Sequence, residues 1–194
     1  MFLVPATGEG PLEYSASNLP EGLSVDKNTG IISGSLKEAG EYIVKLKVKG
    51  PEGKAKRKLK IVGGDHKLAL TPPMGWNSYN VWSIKIDEQK IRQTIDCMAS
   101  TGLAAYGYQY VNMDEGWSGG RDANGEIIPN EGFKDMKDLA DYAHSKGIKL
   151  GLYSSPGPKG CGGTEGSSEH EDQEALTFAY WGIDYLKTDL CTYS

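Results

Sequence analysis

Charged side chains that could handle a polar substrate follow short apolar segments of this sequence. Asp114 and Glu115 come directly after an apolar and aromatic stretch, and Lys187 and Asp189 lie at the end of another. Two adjacent carboxylates are costly to desolvate unless a partner binds them. The sequence therefore predicts a site at Asp114 and Glu115, and not an ordinary end of a strand.

The spacing of Lys187 and Asp189 predicts a nucleophile. Residues two apart on a strand point to the same side of a sheet. A nearby cation favours the ionised form of a carboxyl group, which keeps Asp189 available for nucleophilic attack at neutral pH. For either residue alone, a purely structural ion pair is at least as good an interpretation.

Aromatic residues near the same positions favour a carbohydrate ligand. The rings of Trp76, Trp117 and Tyr153 could pack against a sugar ring, while Asp114 and Glu115 could bind its hydroxyl groups. No serine, histidine or cysteine accompanies this acidic pair in the manner of a hydrolytic triad. The alternative for Asp114 alone is a structural cap of a helix or loop.

Composition and missing motifs exclude several other functions. The chain has 194 residues, 38% hydrophobic and 24% charged, with a net charge of -5, so nucleic acid is not an expected partner. No apolar run is long enough for a membrane span, and the first ten residues do not resemble a signal peptide. Three cysteines and three histidines without metal-binding spacing predict no metal, and the absence of a phosphate-binding glycine loop predicts no nucleotide cofactor.

The first part of the chain has the alternating pattern of β-structure. Apolar residues alternate with polar ones from Tyr42 to Val48 and resume at Leu59 after a turn, which predicts a hairpin with one buried face. We therefore expect a small antiparallel sandwich in residues 1–63. Its outward face carries many lysines, which are a patch for an anionic polymer or, as we favour here, a solvated face that discourages edge pairing. These lysines are Lys45, Lys47, Lys49, Lys54, Lys56, Lys58 and Lys60.

Residues 64–194 alternate between strand and helix patterns. Helices are expected after an N-cap at Asp87, around Met136 to Ala143 and around Ala175 to Ala179, with glycines ending each one. Four apolar segments serve as strands, so we expect parallel βαβ units. Trp76, Asp114, Tyr153 and Lys187 lie at the carboxyl ends of these four strands. Parallel sheets place their sites at that end.

Five motifs in order resemble the α-galactosidases (melibiases) of glycoside hydrolase family 27. They are TPPMGWNSYN, YQYVNMDEGW, RDANGEIIPN, YSSPGPKGCGG and HEDQEALTFAYWGIDYLKTDLC, and the match covers about Leu68 to Ser194. The stretch LEYSASNLPEGLSVDKNTGIISGSL resembles the immunoglobulin-like module that precedes the catalytic domain in some bacterial members.

The resemblance implies a fold and a mechanism. Residues 1–63 would form a partial all-β immunoglobulin-like sandwich, and residues 64–194 the α/β first half of a (β/α)8 TIM barrel. Asp189 matches the nucleophile of a retaining α-galactosidase. The other matches are substrate-binding residues and a disulfide: Trp76, Tyr153, Asp114, Glu115 and Lys187, and the pair Cys161–Cys191. The parent protein would be secreted or periplasmic.

Length and one substitution depart from the family pattern. A TIM barrel has roughly 250 residues and eight strands, so we expect this chain to be an inactive fragment whose acid/base carboxyl group lies outside it. Glu115 stands where aspartate is usual, and its extra methylene favours β-L-arabinopyranosides, which lack the hydroxymethyl group of galactose. Two further hypotheses are a non-catalytic sugar-binding fragment and a doubly wound sheet that binds a small anion.

Overall fold

The computed structural model describes residues 1–192, which form two compact units. The first contains residues 1–73 together with 102–107, and the second contains residues 74–101 and the chain from 108 onward. Tyr193 and Ser194, at the end of the matched segment, lie outside the described residues. The expected boundary between residues 63 and 64 stays a prediction.

The first unit contains two antiparallel sheets of three strands each, in the orders β1-β4-β3 and β2-β5-β6. The strands are β1 (Phe2–Leu3), β2 (Glu13–Ser17), β3 (Leu23–Val25), β4 (Ile31–Gly34), β5 (Gly40–Gly50) and β6 (Gly53–Gly63). The expectation of an antiparallel β-region is confirmed. The sequence pattern missed β1, which is only two residues long and lies before the first alternating stretch.

Alternation along β5 separates the core of this unit from its surface. Val44 and Leu46 are buried together with Ile32 of β4 and with Val4, which directly follows β1. The residues between them point outward and are exposed, as the period of two requires. The lysines of β5 and β6 therefore lie on the outer face, as expected.

The second unit is built on a parallel sheet of four strands in the order β12-β11-β8-β7. A short antiparallel pair, β9 and β10, lies between β8 and β11 in the sequence. Its strands are β7 (Gly75–Asn77), β8 (Tyr110–Asn112), β9 (Ser118–Arg121), β10 (Ile127–Pro129), β11 (Lys149–Ser154) and β12 (Tyr185–Thr188). Its helices are α1 (Tyr79–Trp82), α2 (Glu88–Ser100), α3 (Met136–Ser145) and α4 (Glu171–Trp181). The expected parallel βαβ arrangement is confirmed, whereas α1 and the β9–β10 hairpin were not predicted.

Caps at the helix starts explain why two of the helices begin where the sequence predicted. The Asp87 carboxylate accepts a hydrogen bond from the backbone N–H of Lys90 at 2.9 Å, and Asp135 accepts from the N–H groups of Lys137 and Asp138. Both satisfy N–H groups that have no partner within the helix. The buried faces of α2 and α3 then follow the expected apolar positions.

Two details of the predicted elements are wrong. The sequence pattern predicts one strand over residues 103–113 (LAAYGYQYVNM), but Leu103–Tyr106 form a 3-10 helix between Gly102 and Gly107, whose φ angles of 81° and 97° interrupt an extended chain. In α4 only Phe178 of the expected apolar stripe is buried, and Glu174 is buried beside it. Among residues 1–192, no helix has both the length and the apolar character needed to cross a membrane.

Candidate functional site

Asp114 occupies the centre of the site, just beyond the carboxyl end of β8. Its side chain is only 1% exposed. The Ser78 hydroxyl accepts a hydrogen bond from the Asp114 backbone N–H at 2.9 Å, and Asp114 Oδ1 accepts one from the Glu115 N–H at 2.8 Å. Lys187 Nζ donates to Asp114 Oδ2 at 2.7 Å. The carboxylate is thus held on both oxygens, which offsets the cost of burying it.

Lys187 joins Asp114 to Asp189. Its ammonium lies 3.4 Å from Asp189 Oδ2, so one cation contacts both carboxylates. Partial burial by itself lowers the pKa of Lys187, but the hydrogen bond from Lys187 to Asp114 and the charges of Asp114 and Asp189 outweigh burial and raise it above its ordinary value. Lys187 therefore stays protonated at neutral pH and places its positive charge between the two acidic side chains.

Asp189 lies immediately after β12 and not on it, which corrects one detail of the prediction. The strand ends at Thr188, and the Asp189 backbone N–H donates to the carbonyl of Ser154 at 3.1 Å. The side chain is 46% exposed. Asp189 is therefore the accessible carboxylate of the pair, whereas Asp114 is buried.

Tyr153 and the disulfide border Lys187 on the next strand. Tyr153 pairs directly with Lys187 in the sheet register, and the Lys187 ammonium lies 5.3 Å from the centre of the Tyr153 ring. The predicted disulfide between Cys161 and Cys191 is present, with the Cα atoms 5.0 Å apart. The Tyr153 hydroxyl accepts from the Cys161 N–H at 3.3 Å and lies 3.3 Å from Cys191 Sγ.

The environment of Tyr153 keeps its hydroxyl protonated. Burial raises its pKa, the hydrogen bond from the Cys161 N–H lowers it, and the negative charges of Glu115, Asp189 and Asp114 raise it again. The net shift is upward from the ordinary value of tyrosine. Tyr153 thus presents a neutral hydroxyl near Lys187, although the residue is only 3% exposed.

Glu115 is turned toward the loop that follows β11. Its Oε2 accepts from the Gly162 N–H at 2.6 Å, and its Oε1 accepts from the N–H and the hydroxyl of Thr164 at 3.2 and 2.7 Å. The residue is 1% exposed. Glu115 therefore holds the segment that carries Cys161, and direct substrate binding by Glu115 stays a prediction.

The three aromatic candidates have different surroundings. Trp117 is 3% exposed, donates from its indole N–H to the Tyr153 carbonyl at 3.0 Å and packs edge-on against Phe178 and Trp181. Its ring belongs to the core, so the expectation that it walls a sugar site is wrong. Trp76 is half-buried and packs edge-on against Trp82 at 5.3 Å between ring centres.

Sequence reasoning missed two residues that border the site. The Tyr79 ring on α1 has its centre 5.9 Å from Lys187 Nζ, and Ser78 binds the Asp114 backbone. Both lie in the motif TPPMGWNSYN, directly after the end of β7. Their position at a strand end is the signal that could have identified them.

A buried ion pair also contacts the loop that follows β11. The Arg121 guanidinium pairs with Glu174, and their side chains are 13% and 3% exposed. Arg121 also donates to the Gly166 carbonyl at 2.7 Å, and the Ser167 hydroxyl donates to Glu174 at 2.6 Å. These contacts explain why Glu174 is the polar residue on the buried side of α4.

Asn112 is the last residue of β8, two positions before Asp114. It is 5% exposed, and neither polar atom of its side chain has a hydrogen-bond partner within residues 1–192. Gly151 on the neighbouring strand makes room for it, since a Cβ there would lie 2.3 Å from Asn112 Oδ1.

One group in this region has the composition of a metal site. A carboxylate oxygen of Asp189 and the sulfur atoms of Cys161 and Cys191 all lie within 4.8 Å of one another. The two sulfurs are joined in the disulfide, so they are not thiolates and lack the form of cysteine that binds metals. We assign no metal to these three residues.

Comparison with known proteins assigns the chain to a family. A family described as Alpha galactosidase A matches residues 71–194, and one described as Putative Ig domain matches residues 2–62. The chain is 49% identical over 150 residues to an alpha-galactosidase of Coffea arabica, covering 75% of this chain and 39% of the relative. It is 51% identical over 126 residues to alpha-galactosidase A of Cellvibrio japonicus (strain Ueda107), covering 64% and 31%.

Two solved structures show the same similarity in three dimensions. A putative alpha-galactosidase from Bacteroides fragilis matches with a TM-score of 0.96 and 42% identity, covering 100% of this chain and 42% of that one. Alpha-galactosidase I of Mortierella vinacea matches with a TM-score of 0.64 and 41% identity, covering 66% and 33%. The chain therefore spans less than half the length of these relatives. Since the family match extends over most of its residues, the chain belongs to the alpha-galactosidase A family, with an Ig-type domain preceding the family segment.

Proposed function

We propose that this chain is the nucleophile-bearing part of a retaining glycosidase that releases terminal α-D-galactose from oligo- or polysaccharides. The observation that carries the proposal is the shared contact of Lys187 with buried Asp114 and exposed Asp189. A retaining glycosidase needs a carboxylate that stays ionised and reaches the anomeric carbon. Asp189 lies 3.4 Å from the Lys187 ammonium and is the exposed acidic side chain of the pair.

The chemistry divides between this chain and residues outside it. Asp189 attacks the anomeric carbon as the bond to the leaving oxygen breaks, which forms a covalent glycosyl-enzyme. A second carboxyl group, about 5 to 5.5 Å away in such enzymes, protonates the leaving oxygen and then removes a proton from the water that releases the sugar. We place this group outside residues 1–194, so the chain alone is expected to be inactive.

The other site residues hold the sugar. Asp114 and Lys187 bind hydroxyl groups, Trp76 and Tyr153 form walls, and Glu115 borders the hydroxymethyl end of galactose. Four successive strands whose order in the sheet follows the chain support an interpretation of residues 64–194 as the first half of a TIM barrel. Residues 1–63 are then a separate immunoglobulin-like domain. The Cys161–Cys191 disulfide supports a secreted or periplasmic location.

The test is hydrolysis by the chain expressed together with the coding sequence that follows Ser194 in its gene. We expect cleavage of 4-nitrophenyl α-D-galactopyranoside, and loss of at least about 1000-fold in kcat for Asp189→Asn because the covalent step is removed. With Asp189→Gly and added azide, the product should be a glycosyl azide of inverted configuration. The matched control is Asp141→Asn, an exposed aspartate on α3.

Hydrolysis that persists in Asp189→Asn would overturn the assignment of the nucleophile. If Ser194 is instead followed by a stop codon, we expect the non-catalytic, sugar-binding hypothesis to hold. The chain would then bind galactose without hydrolysing it, and Lys187→Met would abolish that binding.

Glu115 favours a second candidate function, the hydrolysis of β-L-arabinopyranosides. Its carboxylate is one methylene longer than the aspartate usual in the family, and it approaches the loop at Gly162 and Thr164. A one-carbon misfit in a pocket is worth about 1 to 3 kcal/mol of discrimination. We expect Glu115→Asp to shift the ratio of activities toward the galactoside, measured with nitrophenyl glycosides of both sugars. An unchanged galactoside preference in Glu115→Asp would remove this candidate.

A further inference from the structure

The outer face of the β5–β6 hairpin carries two parallel columns of lysines. The sheet register places three pairs directly opposite each other: Lys45 with Lys58, Lys47 with Lys56 and Lys49 with Lys54. All six side chains are exposed. We call these six residues the lysine face.

This arrangement is unfavourable for the isolated protein. Opposite residues on paired strands have Cβ atoms about 4.5 to 5.5 Å apart, and like charges there destabilise a sheet. Along each strand the lysines repeat every second residue, about 6.6 to 6.8 Å apart. Six positive charges are thus concentrated on three cross-strand lysine pairs, called rungs below, that follow one another on this face of a chain whose net charge is -5.

No carboxylate within the described part of the chain forms an ion pair with the lysine face. The neighbouring Lys60 pairs with Glu41 at 2.8 Å, but none of the ion pairs found in residues 1–192 includes one of the six. Glu13 of β2 lies opposite Lys49 in the sheet register, but the two form no ion pair, so most of the positive charge of this surface is left for solvent or an external partner to neutralise.

Protection of a sheet edge does not explain the whole lysine face. Lysines on edge strands deter pairing with other chains, and this accounts for the lysines of β6, the edge strand of the order β2-β5-β6. Lys45, Lys47 and Lys49, however, lie on β5, which is paired on both sides. Their positive charge needs another explanation.

The surface beside the lysines is concave, and carbon atoms make up most of its lining. Ser15 and Ser17 of β2 lie opposite Lys47 and Lys45. These serines and the lysines of the first two rungs border a depression of about 840 Å³. A polymer with both anionic groups and hydroxyls would meet ammonium groups and serine side chains together.

We infer that the lysine face binds an acidic polysaccharide, one whose sugar units carry carboxylates. The six unpaired ammoniums complement such a chain, and the choice of a carbohydrate over other polyanions rests on the proposed function, since a glycosidase works on polysaccharide. The outward residues of these three strands include no aromatic ring. Single-stranded nucleic acid would therefore lack the stacking platforms on which it is usually bound.

Binding of the 194-residue chain to polygalacturonate tests the inference. We expect binding at 50 mM NaCl that falls at least about tenfold at 500 mM, because exposed charges are screened by salt. Methyl-esterified polygalacturonate and a neutral galactomannan should bind at least about tenfold more weakly, since they lack the charge. Isothermal titration calorimetry and affinity electrophoresis provide independent measurements.

Variants with equal charge changes separate a site from general attraction. Lys47→Thr with Lys56→Thr removes one rung, and threonine suits a strand, so this variant should fold with a raised urea midpoint and bind at least about fivefold more weakly. The matched control is Lys27→Thr with Lys37→Thr, two exposed lysines of the same unit outside the lysine face. Equal binding by the two variants would overturn the inference, as would no binding at 50 mM NaCl.

Two further measurements test whether the partner is a polysaccharide and whether its binding is independent of catalysis. Single-stranded DNA that binds more tightly than polygalacturonate at equal charge concentration would overturn the choice of polysaccharide. Asp189→Asn should bind polygalacturonate as the unsubstituted chain does. If glycosidase activity fails while this binding persists, the proposed function fails and the anionic-polymer site stands.

Discussion

The Lys187 ammonium donates a 2.7 Å hydrogen bond to the Asp114 carboxylate, although the two residues are 73 positions apart in sequence. Asp114 is 1% exposed and Lys187 33% exposed, so the pair has a buried end and a solvated end. Only the solvated end can reorganise with water when a partner is lost. The two residues should therefore respond differently to substitution.

Lys187→Met should destabilise the chain by about 2 kcal/mol. Breaking a fully buried ion pair costs about 3 to 5 kcal/mol because it leaves an uncompensated charge, and we lower that value because solvent reaches the side of Lys187. Urea unfolding followed by tryptophan fluorescence measures the change. Lys187→Met combined with Asp114→Asn should recover more than half of the loss, because the double variant leaves no unpaired charge at position 114.

Lys187→Arg is the conservative control for this pair. It keeps the positive charge but replaces a compact ammonium with a planar group, so most of the stability should remain. A double variant no more stable than Lys187→Met alone would show that the lysine stem, and not its charge, supplies the stability.

Glu115→Asp should loosen the loop after β11 even where substrate is absent. Shortening the side chain by one methylene withdraws the carboxylate from Gly162 and Thr164, which now supply three hydrogen bonds. Bonds to a charged acceptor are worth about 1.5 to 3 kcal/mol each in the strongest cases, and partial rearrangement should leave a net cost of about 1 to 2 kcal/mol. Hydrogen exchange at the amides of residues 160–164 should rise at least about tenfold.

The matched control is Thr164→Val, which removes the hydroxyl donor but leaves both backbone donors. It should show a smaller rise in exchange than Glu115→Asp. Exchange rates that are the same in Glu115→Asp and the unsubstituted chain would contradict the role of Glu115 in holding the loop.

The features that sequence predicted correctly are those set by local rules. The cap at Asp87 and the glycine after α4 fix helix ends through contacts within a few residues. The disulfide and the family assignment followed from ordered motifs. The placement of site residues at strand ends followed from the parallel arrangement of the strands.

The features that sequence missed depend on contacts between distant segments. Trp117 and Tyr153 are equally buried aromatic residues, yet only the structure shows that Trp117 packs against α4 whereas Tyr153 lies beside Lys187. Glu115 binds Thr164, which lies 49 positions later in the sequence. The α4 helix buries Glu174 because Arg121 pairs with it. Periodicity assigns a residue to a face, but it does not identify the segment that will cover that face.

The cap of α2 predicts a pH-dependent loss of stability. Hydrogen bonds from the Lys90 side chain and the Lys90 backbone N–H lower the pKa of Asp87. A carboxyl group with a lowered pKa in the folded state contributes stability above its unfolded pKa of about 3.9, and this is lost as the pH falls through the folded pKa. Asp87→Ala should cost about 1 kcal/mol at pH 7, and this cost should shrink below about pH 3.5 as the unsubstituted chain protonates.

Asp87→Asn separates the cap from its charge. Asparagine caps a helix about as well as aspartate, but it does not titrate, so this variant should lose less stability between pH 7 and pH 3 than the unsubstituted chain. Urea midpoints at the two pH values provide the comparison. An Asp87→Ala cost that is the same at both would contradict the assignment of this pH dependence to Asp87.

Reduction of the disulfide should destabilise the second unit and release Tyr153. Cys161 and Cys191 are separated by 30 residues, and closing a loop of that length is worth about 3 to 4 kcal/mol in the chain-entropy account. The Tyr153 hydroxyl, which contacts both cysteines, should then lose its fixed position beside Lys187. We expect Cys161→Ser with Cys191→Ser to lower the urea midpoint and to make the chain insensitive to dithiothreitol.

The control is Cys97→Ser, which removes an exposed free thiol and should keep the response to dithiothreitol. If the double serine variant and Cys97→Ser unfold at the same urea concentration under oxidising conditions, the disulfide does not stabilise this part of the chain.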